Sequence, residues 1–413
     1  MRLKKVLVIV LAALALTPMT RANAALYSFT SIKLTPCGAA GRLGPTLANC
    51  TSAYAAQSWT ANTSYFNVSN GIQSWTVPLS GNYNFVVAGA QGGGSSNSTK
   101  AAVETATLTL NQGDVISILV GQAGTIGGSS TVTGSGGGGT FVVKGTTPLI
   151  VAGGSGGQGD SAQGTSASLT TSGSSGASSG GGAGGTGGNG GSGAAFTGGG
   201  GGFTGDGANE TNSYATNSNA GLSFLNGGYG GYGGQGGGWT PGSDNGGFGG
   251  GAGTCACNTG GGGGAGGYSG GGGGGNSGGY GGGGGGGSYV IGTATITSSA
   301  IANTGNGYVA ISLSGVAPTT PTIGLVGGGT RANYRTTTQL QGTFNTDVKA
   351  VFYQNGKRIP GCQSVQTVSS VATCAWKPSA LGVADLFVTG SNSMGSAKSA
   401  DLLISVVPRT GVR

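Results

Sequence analysis

Side chains that could carry out acid–base or nucleophilic chemistry are scarce in this 413-residue chain. The sequence contains no histidine, nine carboxylates and six cysteines, and only 6% of its residues are charged. Without histidine, neither a serine–histidine triad nor a histidine-paired cysteine nucleophile can form. The carboxylates that could form an acid–base pair are Asp206 with Glu210, and Glu104 with Asp114.

Neither carboxylate pair has a spacing that predicts a shared site. Asp206 and Glu210 lie in a glycine-rich loop, whereas Glu104 and Asp114 flank a predicted strand. Paired acid–base work needs two carboxyl groups that converge on one bond. Gly-x-Gly-x-x-Gly matches are abundant, but none follows a strand and opens a helix. We therefore predict a non-enzymatic chain without catalytic, cofactor or metal residues, and keep an unrecognised carboxylate site as an alternative.

The six cysteines fall into three close pairs. Proximity in the sequence favours bridges between Cys37 and Cys50 and between Cys362 and Cys374. Loops of this size are stabilised by roughly 3 kcal/mol when they are closed. Cys255 and Cys257 are separated by one residue, so they form a labile disulfide, two free thiols or a contact to another chain.

The first 24 residues have the pattern of a secretory signal. Arg2, Lys4 and Lys5 precede the apolar run 6–16, and Ala22-Asn23-Ala24 provides small residues at a cleavage site. The apolar run is too short to span a bilayer, and no later stretch is as long as a transmembrane helix requires. We expect a secreted protein, extracellular or at the cell surface, in which disulfides persist.

Glycine dominates residues 153–287, where it occupies 64 of 135 positions. This segment lacks Lys, Arg, Val, Ile and Met, and its only proline is Pro241. Collagen is excluded because glycine is not repeated at every third position. Nucleic-acid binding is excluded because phosphate neutralisation needs basic side chains, and none lies between Lys144 and Arg331.

The sequence on either side of the glycine tract has the alternation of β-strands. Residues 25–152 contain eight short predicted strands, at 27–33, 64–68, 73–77, 83–88, 103–110, 115–120, 140–144 and 149–151. This spacing is typical of a sandwich or barrel. The only helix candidate is 47–57, and its pattern is weak. Residues 288–299 and 307–313 return to strand character after the glycine tract.

Five motifs carry a resemblance to a known family. They are TPCGAAGRLGPTLANC at 35–50, QSWTVPLSGNY at 73–83, AGAQGG at 88–93, ILVGQ at 118–122 and GGGGTFV at 136–142. In this order they resemble the extracellular glycine-rich domain of anaplastic lymphoma kinase and leukocyte tyrosine kinase, over residues 29–313. The resemblance implies a TNF-like β jelly roll with a long insertion of packed polyglycine-II helices, in a region that binds a protein ligand. Nothing in the sequence resembles the kinase domain, and no ligand-contact residue can be transferred, so the ligand-binding residues stay unknown.

Composition alone favours a flexible linker for residues 153–287, because ordering glycine has a high entropic cost. Packed three-fold helices are the alternative that the resemblance implies, since chains without Cβ atoms can approach on all sides. Such a lattice needs loops, predicted at 209–220 and 240–245. It also needs apolar plugs at its edges, predicted at Phe203, Phe224, Tyr229, Tyr232, Trp239, Phe248, Tyr268 and Tyr280.

The C-terminal part, 318–413, is predicted to be a separate β domain behind closing strands and a linker at 288–317. Its predicted strands are 338–343, 349–354, 364–369, 372–376, 384–389 and 402–407, with a hairpin at Asn355-Gly356. The stretch VFYQNGKRIPGC at 351–362, with CAWKP at 374–378, resembles bacterial surface Ig-like repeats. Such modules serve as stalks or spacers. Lys357, Arg358 and Lys377 suggest either solvated charges or a contact to an anionic surface.

Two functional hypotheses follow. The first is an exported recognition or adhesion protein that binds a protein or surface-glycan ligand, but no nucleic acid and no cofactor. In this hypothesis the loops of the glycine region, rather than its glycines, carry specificity. The alternative is a structural extracellular matrix or surface-layer component that self-associates through glycine-rich edges and Cys255 with Cys257.

Overall fold

The structure, a computed structural model, describes residues 25–126, 132–212, 219–233, 244–254, 260–276, 279–392 and 394–409. The described chain is mainly β and forms two compact units, Ala25–Val316 and residues 317–409. The predicted signal segment 1–24, Trp239 and the cysteines Cys255 and Cys257 lie outside the described residues, as do parts of the predicted loops 209–220 and 240–245.

The strands of the first unit form two antiparallel sheets. Their bounds are β1 (Ser31–Leu34), β2 (Phe66–Ser69), β3 (Ile72–Thr76), β4 (Gly81–Ala88), β5 (Ala101–Leu110), β6 (Val115–Leu119), β7 (Thr140–Lys144), β8 (Thr147–Ala152), β9 (Tyr289–Val290), β10 (Thr295–Asn303) and β11 (Tyr308–Val316). The five-stranded sheet has the order β1-β11-β4-β5-β10, and the six-stranded sheet has the order β2-β3-β6-β7-β8-β9.

Alternation along the strands builds an apolar core from both sheets. In β4, Tyr83, Phe85 and Val87 are fully buried while the residues between them are more exposed. These side chains share a cluster with Trp75 and Ile118 of the other sheet. The strands predicted from the sequence are therefore confirmed, with shifts of a few residues at most ends.

One short helix, α1 (Leu47–Ala53), replaces the longer helical candidate at 47–57. It begins at a capping box in which Thr46 and Asn49 bond to each other's backbone, and this satisfies two donors at its first turn. Cys50 is fully buried on α1 and forms the predicted disulfide with Cys37. The bridge fixes α1 and the loop before it against the apolar core.

The glycine region leaves and re-enters the first unit at neighbouring strands. It follows β8 and precedes β9, which pair in antiparallel register through Ile150 with Val290 and Val151 with Tyr289. Its described residues include almost no regular strand or helix, apart from the 3₁₀ turn Phe224–Asn226. Most of its glycines are nevertheless buried, so this region is a packed body.

Backbone hydrogen bonds in this body repeat every three residues. In the segment 262–268, successive N–H groups donate to three different neighbouring segments. Gly262, Ala265 and Tyr268 donate to Gly281, Gly284 and Gly287, respectively. Gly263 and Gly266 donate to Gly134 and Gly137. Gly264 and Gly267 donate to Gly198 and Gly201. A period of three without internal hydrogen bonds is the geometry of the polyproline II type. We call this hydrogen-bonded body the glycine lattice.

The lattice excludes side chains because its backbones approach so closely. A Cβ atom added at Gly262, Gly271 or Gly283 would lie closer than 3.0 Å to a carbonyl of another segment. Glycines in turns of the same unit are different, since a Cβ at Gly113 or Gly292 would meet nothing within 4 Å. Glycine is therefore required in the lattice by contact distance, and only at some turns by backbone conformation.

The second unit is a two-sheet β structure. Its strands are β12 (Thr322–Leu325), β13 (Arg331–Asn333), β14 (Thr338–Thr343), β15 (Lys349–Gln354), β16 (Lys357–Arg358), β17 (Val365–Gln366), β18 (Val371–Trp376), β19 (Gly382–Asn392), β20 (Gly395–Lys398) and β21 (Leu402–Val407). One sheet has the order β12-β14-β18. The other has the order β13-β21-β19-β15-β16, with β17 paired to β15 and β20 paired to β19.

The core of the second unit combines both of its sheets. Leu340 and Trp376 from the smaller sheet cluster with Phe352, Leu386 and Ile404 from the larger one. The predicted Cys362–Cys374 disulfide is present, and both cysteines belong to this core. The strands β12, β13, β16 and β20 were not predicted, because each has at most four residues and lacks a clear alternation.

Replacing Gly262 by alanine should destabilise the first unit by about 1–3 kcal/mol, since the methyl group must displace neighbouring backbone. Gly292→Ala is the matched control, because its Cβ meets no atom and its φ lies outside the left-handed region. Denaturant unfolding of the two variants and the parent protein measures the difference. Equal stability of all three would contradict a close-packed lattice.

Limited proteolysis provides a second check on order in the glycine region. Phe203, Phe224 and Phe248 are 4%, 7% and 0% exposed, so an aromatic-specific protease should cut there only after global unfolding. Fragments should be analysed by mass spectrometry under oxidising conditions. Rapid cleavage at these three residues in the native protein would indicate a flexible linker.

Candidate recognition groove

The four carboxylates considered for catalysis have separate structural partners. Asp114 forms a 2.7 Å ion pair with Lys144. Asp206 accepts hydrogen bonds at a turn, as described below, and Glu210 accepts one from Asn219 at 3.2 Å. The geometry assigns each of these side chains to the support of its local backbone or strand.

Glu104 is the most deeply placed of the four. It lies on the inner face of β5, is 2% exposed, and accepts a short hydrogen bond from the Ser299 hydroxyl on β10. Burial raises the pKa of its carboxyl group, although the Ser299 hydrogen bond lowers it in part. This position, between Ala102 and Ala106 on the inner face, leaves the carboxyl group without access to a substrate.

The described residues hold no group of three or more His, Cys, Asp or Glu side chains that could bind a metal ion. Nor does any described helix combine the length and apolar character needed to cross a membrane. Among the surface pockets of the first unit, one is a groove beside the glycine lattice.

The groove exists because the glycine lattice covers only part of the outer face of the six-stranded sheet. On its outer face, Leu119, Phe141, Val151 and Tyr289 lie side by side on β6, β7, β8 and β9. The first three are buried under the lattice, where they form an apolar layer with lattice aromatics. On β3 and β2 the same face continues with Ile72, which is half-buried, and Ser69, which is exposed. The lattice therefore stops over β3.

Lattice aromatics fill this apolar layer in a continuous stack. Phe141 of the sheet contacts Phe224, Phe224 stacks on Phe203, Phe203 on Tyr268, and Tyr268 on Tyr289, with ring centroids 4.7–6.3 Å apart. Phe248 and Tyr229 join the layer. Five of the eight predicted edge plugs thus share one site, at the boundary between lattice and sheet. Tyr280 lies elsewhere, near Phe196, and Tyr232 is 38% exposed.

The groove lies where this covering ends and has a volume of about 510 Å³. Its apolar wall consists of Ile72, Phe224, Leu225 and Tyr229, and its polar floor and rim consist of Ser69, Asn70, Ser74, Ser117 and Asn226, with Gly227. Leu225 is 49% exposed. No lining residue is charged, so the groove suits a neutral segment that presents an apolar side chain.

Asp206 holds the lattice side of the groove in shape. Its carboxylate accepts a hydrogen bond from the Ser223 N–H at 2.7 Å and bonds from the Asn226 side-chain amide at 3.0 and 2.9 Å. Partial burial works to raise the pKa of this carboxyl group, but these bonds outweigh it and lower the pKa. After Asn226 the chain reverses through Gly227 and Gly228, both with left-handed φ of 96° and 66°.

The loop at residues 38–45 packs against the β2–β3 turn, next to Asn70 of the groove, but contributes no lining residue. Gly44 lies against Gly71 of the β2–β3 turn and against the Phe248 ring. The backbone carbonyl of Arg42 accepts a hydrogen bond from the Gly230 N–H at 3.0 Å. The Arg42 guanidinium stacks on the Tyr232 ring, 3.7 Å from its centroid. Leu43 beside it is 53% exposed. The loop 38–45 thus contacts both the β2–β3 turn and the lattice.

Of the lining residues, the sequence singles out Phe224 and Tyr229, as edge plugs of the lattice and not as parts of a binding groove. Leu225 belongs to the short, mostly apolar run 222–225, which stands out between glycine-rich stretches. Nothing local distinguishes Ser74 or Ser117 from other strand serines.

Comparison with known proteins gives limited support for the family resemblance. No protein-family model matches the chain. The chain is 38% identical over 92 residues to a leukocyte tyrosine kinase receptor from Mus musculus. The match covers 21% of this chain and 10% of the receptor, so the chain spans about a tenth of that relative's length. The similarity is to part of a receptor and leaves the rest of that protein without a counterpart.

Glu104→Gln should change how stability depends on pH. Because the folded-state pKa of Glu104 is raised, its contribution to stability is full below its ordinary value of 4.5 and is lost as pH rises through the folded-state pKa. The glutamine keeps an acceptor for Ser299 and cannot ionise. Thermal unfolding from about pH 4 to about pH 8 should therefore show a smaller decline in the variant. An identical pH profile in both proteins would exclude Glu104 as the source.

Proposed function

We propose that this chain is an exported, non-enzymatic recognition protein whose first unit binds a protein ligand in the groove beside the glycine lattice. The groove is the observation that carries the proposal. It combines an apolar wall with amide and hydroxyl groups, and its lining comes from the β2–β3 hairpin, strand β6 and the lattice segment 224–229. Its volume of about 510 Å³ lies in the range of binding pockets. The partial similarity to a receptor supports a ligand-binding role.

Finer features of the fold belong to this proposal. We assign the two sheets of residues 25–152 and 288–317 to a TNF-like jelly roll, and the described part of 153–287 to polyglycine-II helices. The three-residue hydrogen-bond period supports the second assignment. We assign residues 318–413 to an Ig-like spacer, supported by its two-sheet core and local disulfide. Residues 1–24 are assigned to a secretory signal, and adhesion to a cell surface is the proposed setting.

Two observations support the absence of catalysis. The sequence contains no histidine, and the four tested carboxylates are engaged in separate structural interactions. The groove lining includes serine hydroxyls but no histidine, lysine or carboxylate that could activate one of them as a nucleophile.

Self-association is the second candidate, and one edge strand favours it. β10 ends the five-stranded sheet, and its Ile296 is 55% exposed, so an open edge could pair with another chain. Two register shifts interrupt β10, between Ile296 and Ser298 and between Ile301 and Asn303. Such bulges protect edges against pairing, so we place this candidate second. Reductant-sensitive, concentration-dependent oligomers in sedimentation experiments would promote it to first.

Leu225→Asp should weaken binding of the ligand, because the ligand would partly remove the new carboxylate from water without providing a charged partner for it. The purified protein should be screened on an array of extracellular proteins and surface glycans, and each binder measured against the variant. We expect a loss of at least about tenfold in affinity.

Leu381→Asp provides the matched control for this experiment. Leu381 is 56% exposed, close to the 49% of Leu225, but lies in the second unit. A binder lost in Leu225→Asp and kept in Leu381→Asp supports the groove. Binders that respond equally to both substitutions, or an array without any binder, would contradict the proposal.

A further inference from the structure

In the second unit, the outer face of the larger sheet carries four of the five cations that lie on the strands of that sheet. Because side chains alternate along strands, residues opposite the core-facing Phe352, Leu386 and Ile404 share this face. Its exposed cations are Arg331, Lys349, Arg358 and Lys398. Asp385 is its one acidic residue within the described strands of this sheet.

On this face, Lys398, Phe387, Tyr353 and Arg358 form a row across four strands. We call it the cation–aromatic row. The Lys398 ammonium lies 4.0 Å from the ring centroid of Phe387. Phe387 stacks on Tyr353 with centroids 4.5 Å apart and planes 11° from parallel. Arg358 of β16 is the cross-strand partner of Tyr353. The row therefore has a cation at each end and two aromatic rings between them.

The stacking determines what the row presents to solvent. β20 and β15 lie on opposite sides of β19, since Thr389 pairs with both Lys398 and Val351. Both faces of the Phe387 ring are thus occupied, one by Tyr353 and the other by Lys398. An aromatic ring has a negative face and a positive edge. With the faces covered, the edges and the two cations give the row a positive potential along its length.

The unit has few acidic groups to neutralise this face. Residues 318–413 contain nine basic and three acidic side chains. Asp347 accepts bonds from Thr367 and Ser370, and is engaged there. Asp401 pairs with Lys398 at 3.0 Å, but both groups are about half exposed, and such surface pairs exchange easily with other ions.

The opposite outer face of the same unit provides an internal comparison. On β14 and β18 of the smaller sheet, the residues that point away from the core are Gln339, Gln341, Thr343, Val371, Thr373 and Ala375. All six are uncharged, and the cation Lys377 follows only after the end of β18. The two faces are built on the same pleated scaffold, so the concentration of cations on one of them is a property of that face rather than of the unit's overall charge.

We propose that the cation–aromatic row is a binding surface for an extended polysaccharide that carries carboxylate groups. Carboxylates pair with the terminal cations, and Arg358 offers a planar fork for this interaction. Hydroxyl oxygens of the sugar units between them contact the exposed ring edges, whose C–H groups carry partial positive charge. Recognition of nucleic-acid bases is disfavoured, because base stacking needs free ring faces. In this proposal the second unit is a binding module in its own right, and this holds independently of the groove.

Alanine variants of the purified protein test the row against polygalacturonate, a polymer of carboxylated sugars. Arg358→Ala and Lys398→Ala should each weaken binding by about threefold to tenfold, because each removes a charge-assisted contact. Lys357→Ala is the matched control. Lys357 is adjacent to Arg358, has the same charge and is also exposed, but its side chain points to the other face. It should leave binding unchanged.

Binding should be measured by calorimetry at low and at physiological salt, with the methyl-esterified polymer as the neutral counterpart. Circular dichroism and thermal unfolding confirm that each variant is folded. The proposal is supported if Arg358→Ala and Lys398→Ala weaken binding to polygalacturonate while Lys357→Ala does not. Equal losses in Lys357→Ala, no binding to polygalacturonate at low salt, or tighter binding to oligothymidylate or to anionic lipid vesicles would each overturn it.

Discussion

The structure of the first unit depends on one packing condition: a backbone without Cβ atoms can be surrounded by other backbones at hydrogen-bonding distance. Buried N–H and C=O groups must be paired, because leaving one unpaired costs about 1–3 kcal/mol. A β-strand pairs its backbone groups with two neighbouring strands. In the glycine lattice, successive N–H groups of one segment donate to three neighbouring segments in turn. The same close approach leaves no space for a side chain. The backbone groups can therefore be hydrogen-bonded in this way only where the residues lack a Cβ atom.

This condition explains the arrangement of apolar residues in the first unit. The six-stranded sheet is apolar on both faces where the lattice covers it, and polar on its outer face where the lattice stops. Aromatic residues are concentrated at the boundary because a lattice of glycines has no side chains with which to fill the space above a pleated sheet. The groove is then the step between covered and uncovered sheet. Its position follows from the extent of the lattice and not from a dedicated motif.

Much of the β structure could be predicted from the sequence, since alternation in segments such as β4 and β5 is a local signal. The disulfides could also be predicted, because their cysteines are close in sequence. Order in the glycine region could not be derived from composition. Its hydrogen bonds join residues such as Gly263 and Gly134, and nothing near Gly263 specifies that partner. The groove was missed for the same reason, as Asn70, Ser117 and Leu225 meet only in the folded unit.

The last segment of the lattice has a consequence for how the unit forms. Gly283 and Gly286 donate to Gly157 and Gly154, which are well over a hundred residues earlier in the chain. The β8–β9 pair closes the same long loop. Contacts of such sequence separation form slowly, because the loop entropy is lost before the contacts are gained. The lattice therefore closes only after residue 287 has been synthesised, and the first unit is complete only when β10 and β11 have joined its sheet. Until then the lattice aromatics are uncovered, which makes that interval its most aggregation-prone stage.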